Sequence, residues 1–81
     1  MNNELLGNLD KLHTTELGIQ RIQRNLSLTT PDVVDWCRQK VLSVDGIFRK
    51  GKNWYVRSDG CVITINIHSL TIITAHKELK G

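Results

Sequence analysis

Eighty-one residues with a net charge of +3, 40% apolar and 23% charged, make one domain of 1–81 with a modest core. A flat or grooved binding surface is expected of it in preference to a deep cofactor pocket. The most apolar stretch, 61–75, is interrupted by Thr64, Asn66, His68, Ser69, Thr71 and Thr74, too often to span a membrane, and Met-Asn-Asn-Glu is no export signal, so a cytoplasmic protein with reduced Cys37 and Cys61 is expected.

The elements follow in chain order. Leu5, Leu6, Leu9 and Leu12 recur at helical spacing and predict a short amphipathic helix over 3–12. A second helix, 15–25, starts at the Thr14-Thr15 cap and buries Ile19, Ile22 and Leu26. Thr30-Pro31-Asp32 reads as a start signal, with Thr30 as cap, Pro31 at the first helical position and Asp32 at the positive dipole end. That third helix covers 31–43, with Val33, Cys37 and Val41 along one stripe and Asp45-Gly46 closing it.

The remainder is β. Strands are predicted at 47–49, 53–58, 61–67 and 70–77, with turns at Lys50-Gly51-Lys52, Asp59-Gly60 and His68-Ser69. Asp59-Gly60 is the strongest hairpin signal, because a tight primed turn needs positive φ at both positions. It pairs Val56 with Ile63 and Trp54 with Ile65. One face then holds Trp54, Val56, Ile63, Ile65, Ile67, Leu70 and Ile72, which the helices cover. The other holds Tyr55, Arg57, Val62, Thr64, Asn66, Thr71, Ile73 and Lys77 and stays open. The fold class is α+β: two to three N-terminal helices packed on one face of a C-terminal antiparallel meander of three to four strands.

Charge divides along the same line. Residues 1–45 carry five Lys and Arg against six Asp and Glu, and residues 46–81 carry six against two. A basic β half suits an acidic partner, nucleic acid or an acidic protein surface, although a solvated surface is the plainer account.

Dedicated chemistry finds little support. No Cys-x-x-Cys or His-x-x-x-His spacing is present, so no metal site and no cofactor is expected. Cys61 and His76 fall opposite each other if the last turn has two residues, but two groups do not make a zinc site, and a core-face cysteine is usually a small hydrophobe. Lys50-Gly51-Lys52 precedes a strand and is no phosphate-binding loop. A metal-free ribonuclease needs an acid, a base and cations, and His68, His76, Lys52 and Arg57 supply the types. A turn histidine and a strand-end histidine have ordinary structural roles as well. Trp36 belongs to core or boundary packing on the third helix; exposed, it would anchor a protein partner.

Several blocks resemble a known family: His13-Thr14-Thr15-Glu16-Leu17-Gly18 with Arg21-Ile22 and Asn25-Leu26, then Val34-Asp35-Trp36-Cys37, Arg49-Lys50-Gly51-Lys52-Asn53-Trp54-Tyr55, Ile63-Thr64-Ile65-Asn66 and Ile72-Ile73-Thr74-Ala75-His76. Together they are similar to the small bacterial proteins grouped as domain of unknown function 3781. The resemblance covers almost the whole chain. It implies a bacterial, Gram-positive or phage-associated cytoplasmic protein and brings no catalytic residues.

The leading expectation is a non-enzymatic binding module that engages nucleic acid or nucleoprotein through Arg49, Lys50, Lys52, Tyr55, Arg57 and Asn66. The alternatives are a toxin-type ribonuclease using His68 or His76, and a mobile-element-encoded, anti-CRISPR-like inhibitor of a nuclease. The short striped helices also need a surface to cover, which a homodimer would supply.

Overall fold

A computed structural model of the chain describes residues 5–78. Helical segments fill the first half: a 3-10 helix at Leu6–Lys11, then α1 (Glu16–Leu26) and α2 (Val33–Leu42). The second half is a four-stranded antiparallel sheet of β1 (Gly46–Lys50), β2 (Asn53–Ser58), β3 (Cys61–Asn66) and β4 (Ile72–Lys77), in the order β1-β2-β3-β4. The fold is therefore α+β, with every strand beside its sequence neighbour.

The first helix is shorter and tighter than the α-helix expected over 3–12, of which residues 3 and 4 lie outside the described residues. Gly7 and Asn8 are weak helix formers, and Asn8 at φ −130° breaks the run. Leu5 and Leu12, at either end of the segment, are buried, whereas Leu6 is exposed. α1 begins where expected. The Thr15 hydroxyl accepts the Gly18 N–H at 3.0 Å, and the helix closes through Ser27, held at φ 54°. α2 starts later than the expected 31. Asp32, not Thr30, is its cap and accepts the Asp35 N–H at 3.0 Å. The Thr30 hydroxyl instead accepts the Asp32 N–H, so Thr30 and Pro31 form the turn that leads in. A carboxylate at the cap bonds a free amide and also faces the positive end of the helix dipole.

β1 is a full strand, longer than the expected 47–49. A two-residue loop joins it to β2, with Gly51 at φ 62° in the first position and Lys52 in the second, the pattern of a type II′ turn. Asp59 (φ 50°) and Gly60 (φ 75°) make the next loop with positive φ at both positions, and Val56 faces Ile63 and Trp54 faces Ile65 as expected. β3 stops at Asn66 instead of 67.

β4 begins at Ile72 instead of 70. Leu70 adopts φ 58°, a left-handed conformation unusual for a bulky side chain, while its side chain stays buried and its N–H bonds the Asn66 carbonyl at 3.0 Å. Ile65 then faces Ile72, but Thr64 faces Thr74, so Ile73 is an extra residue in the ladder. This bulge corrects the expected faces at the C-terminal end. Ile73 is exposed as expected, but after it Thr74 and His76, not Lys77, follow the open side, and Lys77 stands opposite Cys61. The Cys61–His76 pairing that a two-residue last turn would give does not form; His76 faces Val62.

The helices cover one sheet face. Ile22, Leu26, Val33, Cys37 and Val41 share a core with Trp54, Val56, Ile63, Ile65, Ile72 and Ala75. Trp36 is half-buried against that core, with the Lys40 ammonium 5.3 Å from its ring centroid. It is a boundary residue capped by a cation, not an exposed anchor.

The two sheet edges differ. His13 forms a short parallel bridge to Thr71 beside β4: its N–H donates to the Leu70 carbonyl at 3.3 Å, and Ile72 N–H donates to the His13 carbonyl at 2.7 Å. Thr14 Oγ1 donates to the Ile72 carbonyl at 2.8 Å. β1, at the other edge, pairs only with β2 among the described residues.

Candidate functional site

Strand alternation and register arrange the open face in cross-strand rows. One row runs Phe48, Tyr55, Thr64, Thr74, with Lys50, Asn53 and Asn66 on one side of it and Arg57, Val62 and His76 on the other. Thr64 in the middle of the row is buried, whereas Phe48, Lys50, Arg57 and His76 around it are exposed. The Phe48 and Tyr55 rings stack with centroids 5.3 Å apart and an interplanar angle of 16°. Phe48 is 50% exposed. Offset stacking in this range fixes both rings and leaves an apolar platform facing solvent.

A meander places its first and third turns at one end and its second at the other. The β1–β2 and β3–β4 turns therefore share an end, where Arg49, Lys50 and Lys52 are all exposed. None of these three has an ion-pair partner among the described residues. The opposite end holds Asp45, Asp59 and Glu78, and there Lys40 pairs with Asp59 at 2.7 Å and Arg57 with Glu78 at 2.6 Å. The sheet thus carries unpaired positive charge at one end and compensated charge at the other.

The expected binding residues separate accordingly. Lys50, Lys52 and Tyr55 fall together beside Phe48. Arg49 is at the same end but on the helix side of β1, exposed at its margin. Arg57 lies on the open face, yet Glu78 holds its guanidinium through two contacts and raises its pKa, first by the hydrogen bond and then by charge. Asn66 has a structural task. Its Oδ1 accepts the His68 N–H and the Ser69 N–H, both at 2.9 Å, and the Ser69 hydroxyl at 3.2 Å, which builds the last turn.

The two histidines are not brought together. His68 sits in the β3–β4 turn and His76 faces Val62 near the other end of the sheet. The length of β3 lies between them, roughly 15 Å at the usual rise per residue. A shared acid–base role on one phosphate is beyond that reach.

Phe48 escaped the sequence reading. The signal was present: carrying alternation back through the two-residue loop at Gly51-Lys52 pairs Phe48 with Tyr55 directly. Cys37 is fully buried, and burial, with Cys61 adding to it, pushes its thiol up to about 12. Cys61 is half-buried near the second turn. No described helix is long and apolar enough to cross a membrane.

No curated protein and no solved structure matches this chain. A family model described as Protein of unknown function (DUF3781) matches residues 6–76, from the first helix to the open-face histidine of β4, and the chain belongs to that family.

Proposed function

We propose that this protein is a non-enzymatic binding module for single-stranded nucleic acid. The observation that carries the reading is the Phe48–Tyr55 stack, with Phe48 exposed, beside three cations, Arg49, Lys50 and Lys52, that have no ion-pair partner among the described residues. An unstacked base gains by lying on an aromatic ring whatever its identity, and lysine or arginine alongside neutralises the phosphates on either side of it. A sheet face gives such a strand a track that a duplex, with its bases already stacked, cannot use. Asn53, half-buried in the row next to the stack, offers amide groups to base edges.

The test is fluorescence anisotropy with labelled single-stranded RNA and DNA over a series of salt concentrations. Binding should weaken steeply with salt, and Lys50→Glu with Lys52→Glu should abolish it and flatten the salt slope. Phe48→Ala should weaken binding about tenfold or more with the salt slope unchanged, as expected for lost stacking of about 1–3 kcal/mol per base. No binding at low salt, or binding indifferent to all three substitutions, refutes the reading.

A further inference from the structure

We propose that β1 pairs antiparallel with β1 of a second copy, joining two four-stranded sheets into one continuous sheet across a two-fold axis at Phe48. The proposal starts from the contrast between the edges. β4 is flanked by His13, Thr14 and Asn25, whose groups take up its outer carbonyls and amides. β1 has no such cover among the described residues.

Lys50 and Asn53 flank the two-residue loop and so form a hydrogen-bonded pair, as do Phe48 and Tyr55 two residues further on. The N–H and C=O groups of Ile47 and Arg49 therefore point away from β2. The same alternation holds along β2, where the Lys52 carbonyl turns to β3 and accepts the Ile67 N–H at 2.8 Å. An edge with two outward-facing residues flanking one inward-facing residue is self-complementary. With Phe48 opposite Phe48, Ile47 of each copy faces Arg49 of the other, and all the outward groups of both strands are satisfied at once.

Charge selects this occupant and this direction. β1 follows exposed Asp45 and ends in Arg49, Lys50 and the Lys52 turn. Antiparallel pairing brings Asp45 of one copy beside Arg49 and the basic turn of the other. Parallel pairing would stack like charges, and lysine or arginine on an edge ordinarily serves to prevent pairing. Phe48, 50% exposed on the open face, would gain the opposite Phe48 as a neighbour and extend the aromatic row across the axis. The inference rests on the sheet edge alone, and its test is run without nucleic acid, so it stands or falls separately from the binding reading.

Sedimentation velocity over a concentration series should show a monomer–dimer equilibrium. Arg49→Pro removes only an outward N–H and should give a monomer whose circular dichroism is unchanged. Should Arg49→Pro fail to fold, Phe48→Lys, which sets two ammonium groups across the axis at an exposed position, should give the same monomer. Register is read by oxidation in a Cys61→Ser background. Facing residues of a non-hydrogen-bonded pair have Cα atoms about 4.5 Å apart, within disulfide reach, so Phe48→Cys should cross-link to itself and Lys50→Cys should not. A wild-type chain that is monomeric throughout overturns the proposal. So does a dimer that survives the edge substitutions, or one that cross-links through position 50 in preference to 48.

Discussion

The Asn25 side chain donates to the Ala75 carbonyl across 3.2 Å, tying the last turn of α1 to the outer edge of β4. The same amide nitrogen lies 3.3 Å from Thr74 Oγ1. With the His13 bridge, this contact closes one edge of the sheet with side chains and backbone from the helical half. The asymmetry of the two edges originates there, and it leaves β1 as the side available for new pairing.

Asn66 should prove structural. Its Oδ1 takes three donors from the following turn, so Asn66→Ala leaves two backbone amides without their partner. Both amides are exposed and water can take the place of the lost acceptor, so a loss of about 0.5–1.5 kcal/mol in unfolding free energy is expected by urea titration, with Asn66→Asp retaining most of the stability. Nucleic-acid affinity of the folded fraction should be unchanged.

Ser27→Gly should stabilise. Ser27 is exposed, sits at φ 54° and makes no side-chain hydrogen bond among the described residues, while Leu28 N–H closes the helix end onto the Gln23 carbonyl at 2.9 Å. Glycine adopts this conformation without the penalty that a Cβ carries. A gain of about 1 kcal/mol, read as a rise of roughly 4–8 °C in Tm, is expected for a domain of this size.

Cys37 sets an alkaline limit. Its thiol is pushed from 9.0 up to about 12 in the fold, by burial first and by Cys61 second. Above about pH 9 the unfolded chain therefore holds fewer protons than the folded one, and deprotonation favours unfolding. The contribution is fully present below pH 9 and is lost on the way to about 12, at up to about 1.4 kcal/mol per pH unit. Denaturant midpoints measured across this range should fall more steeply for the wild type than for Cys37→Ala.

Glu78→Gln should strengthen binding. Glu78 occupies the Arg57 guanidinium at 2.6 Å, on the face proposed to track a strand. Releasing that cation should raise affinity modestly and steepen the dependence of log K on log salt by about one phosphate contact. Arg57→Gln in the wild type should change affinity much less than Lys50→Glu.

Much of this was legible in the residues. The Asp59-Gly60 hairpin fixed the pairing of Trp54 with Ile65 and Val56 with Ile63, because turn chemistry and apolar alternation pointed to the same register. The α1 start followed from the Thr14-Thr15 pair, of which Thr15 is the cap. The α2 start did not, since Thr30 and Asp32 are both competent caps and only the path of the chain chooses between them. The last strand was misread after Ile72. A bulge leaves no local mark when the extra residue is another isoleucine, and Ile72-Ile73 reads equally well either way. For the site, counting cations found Lys50 and Lys52 but could not see that Glu78 engages Arg57 or that Asn66 is committed to its own turn. Both depend on contacts over distances that spacing does not encode.

The bulge at Ile73 has a consequence of its own for how this strand tolerates change. It works as a frame shift between two stretches of one ladder: with regular alternation from Ile72, Thr74 and His76 would fall among the helices while Ala75 and Lys77 turned outward. The inserted residue reverses that order and lets Ala75 sit fully buried. Deleting either Ile73 or Thr74 would close the bulge and leave each later residue opposite the same partner on β3. A deletion further along would turn the residues between it and the bulge to the other face. Natural length variation in β4 should therefore gather at the bulge.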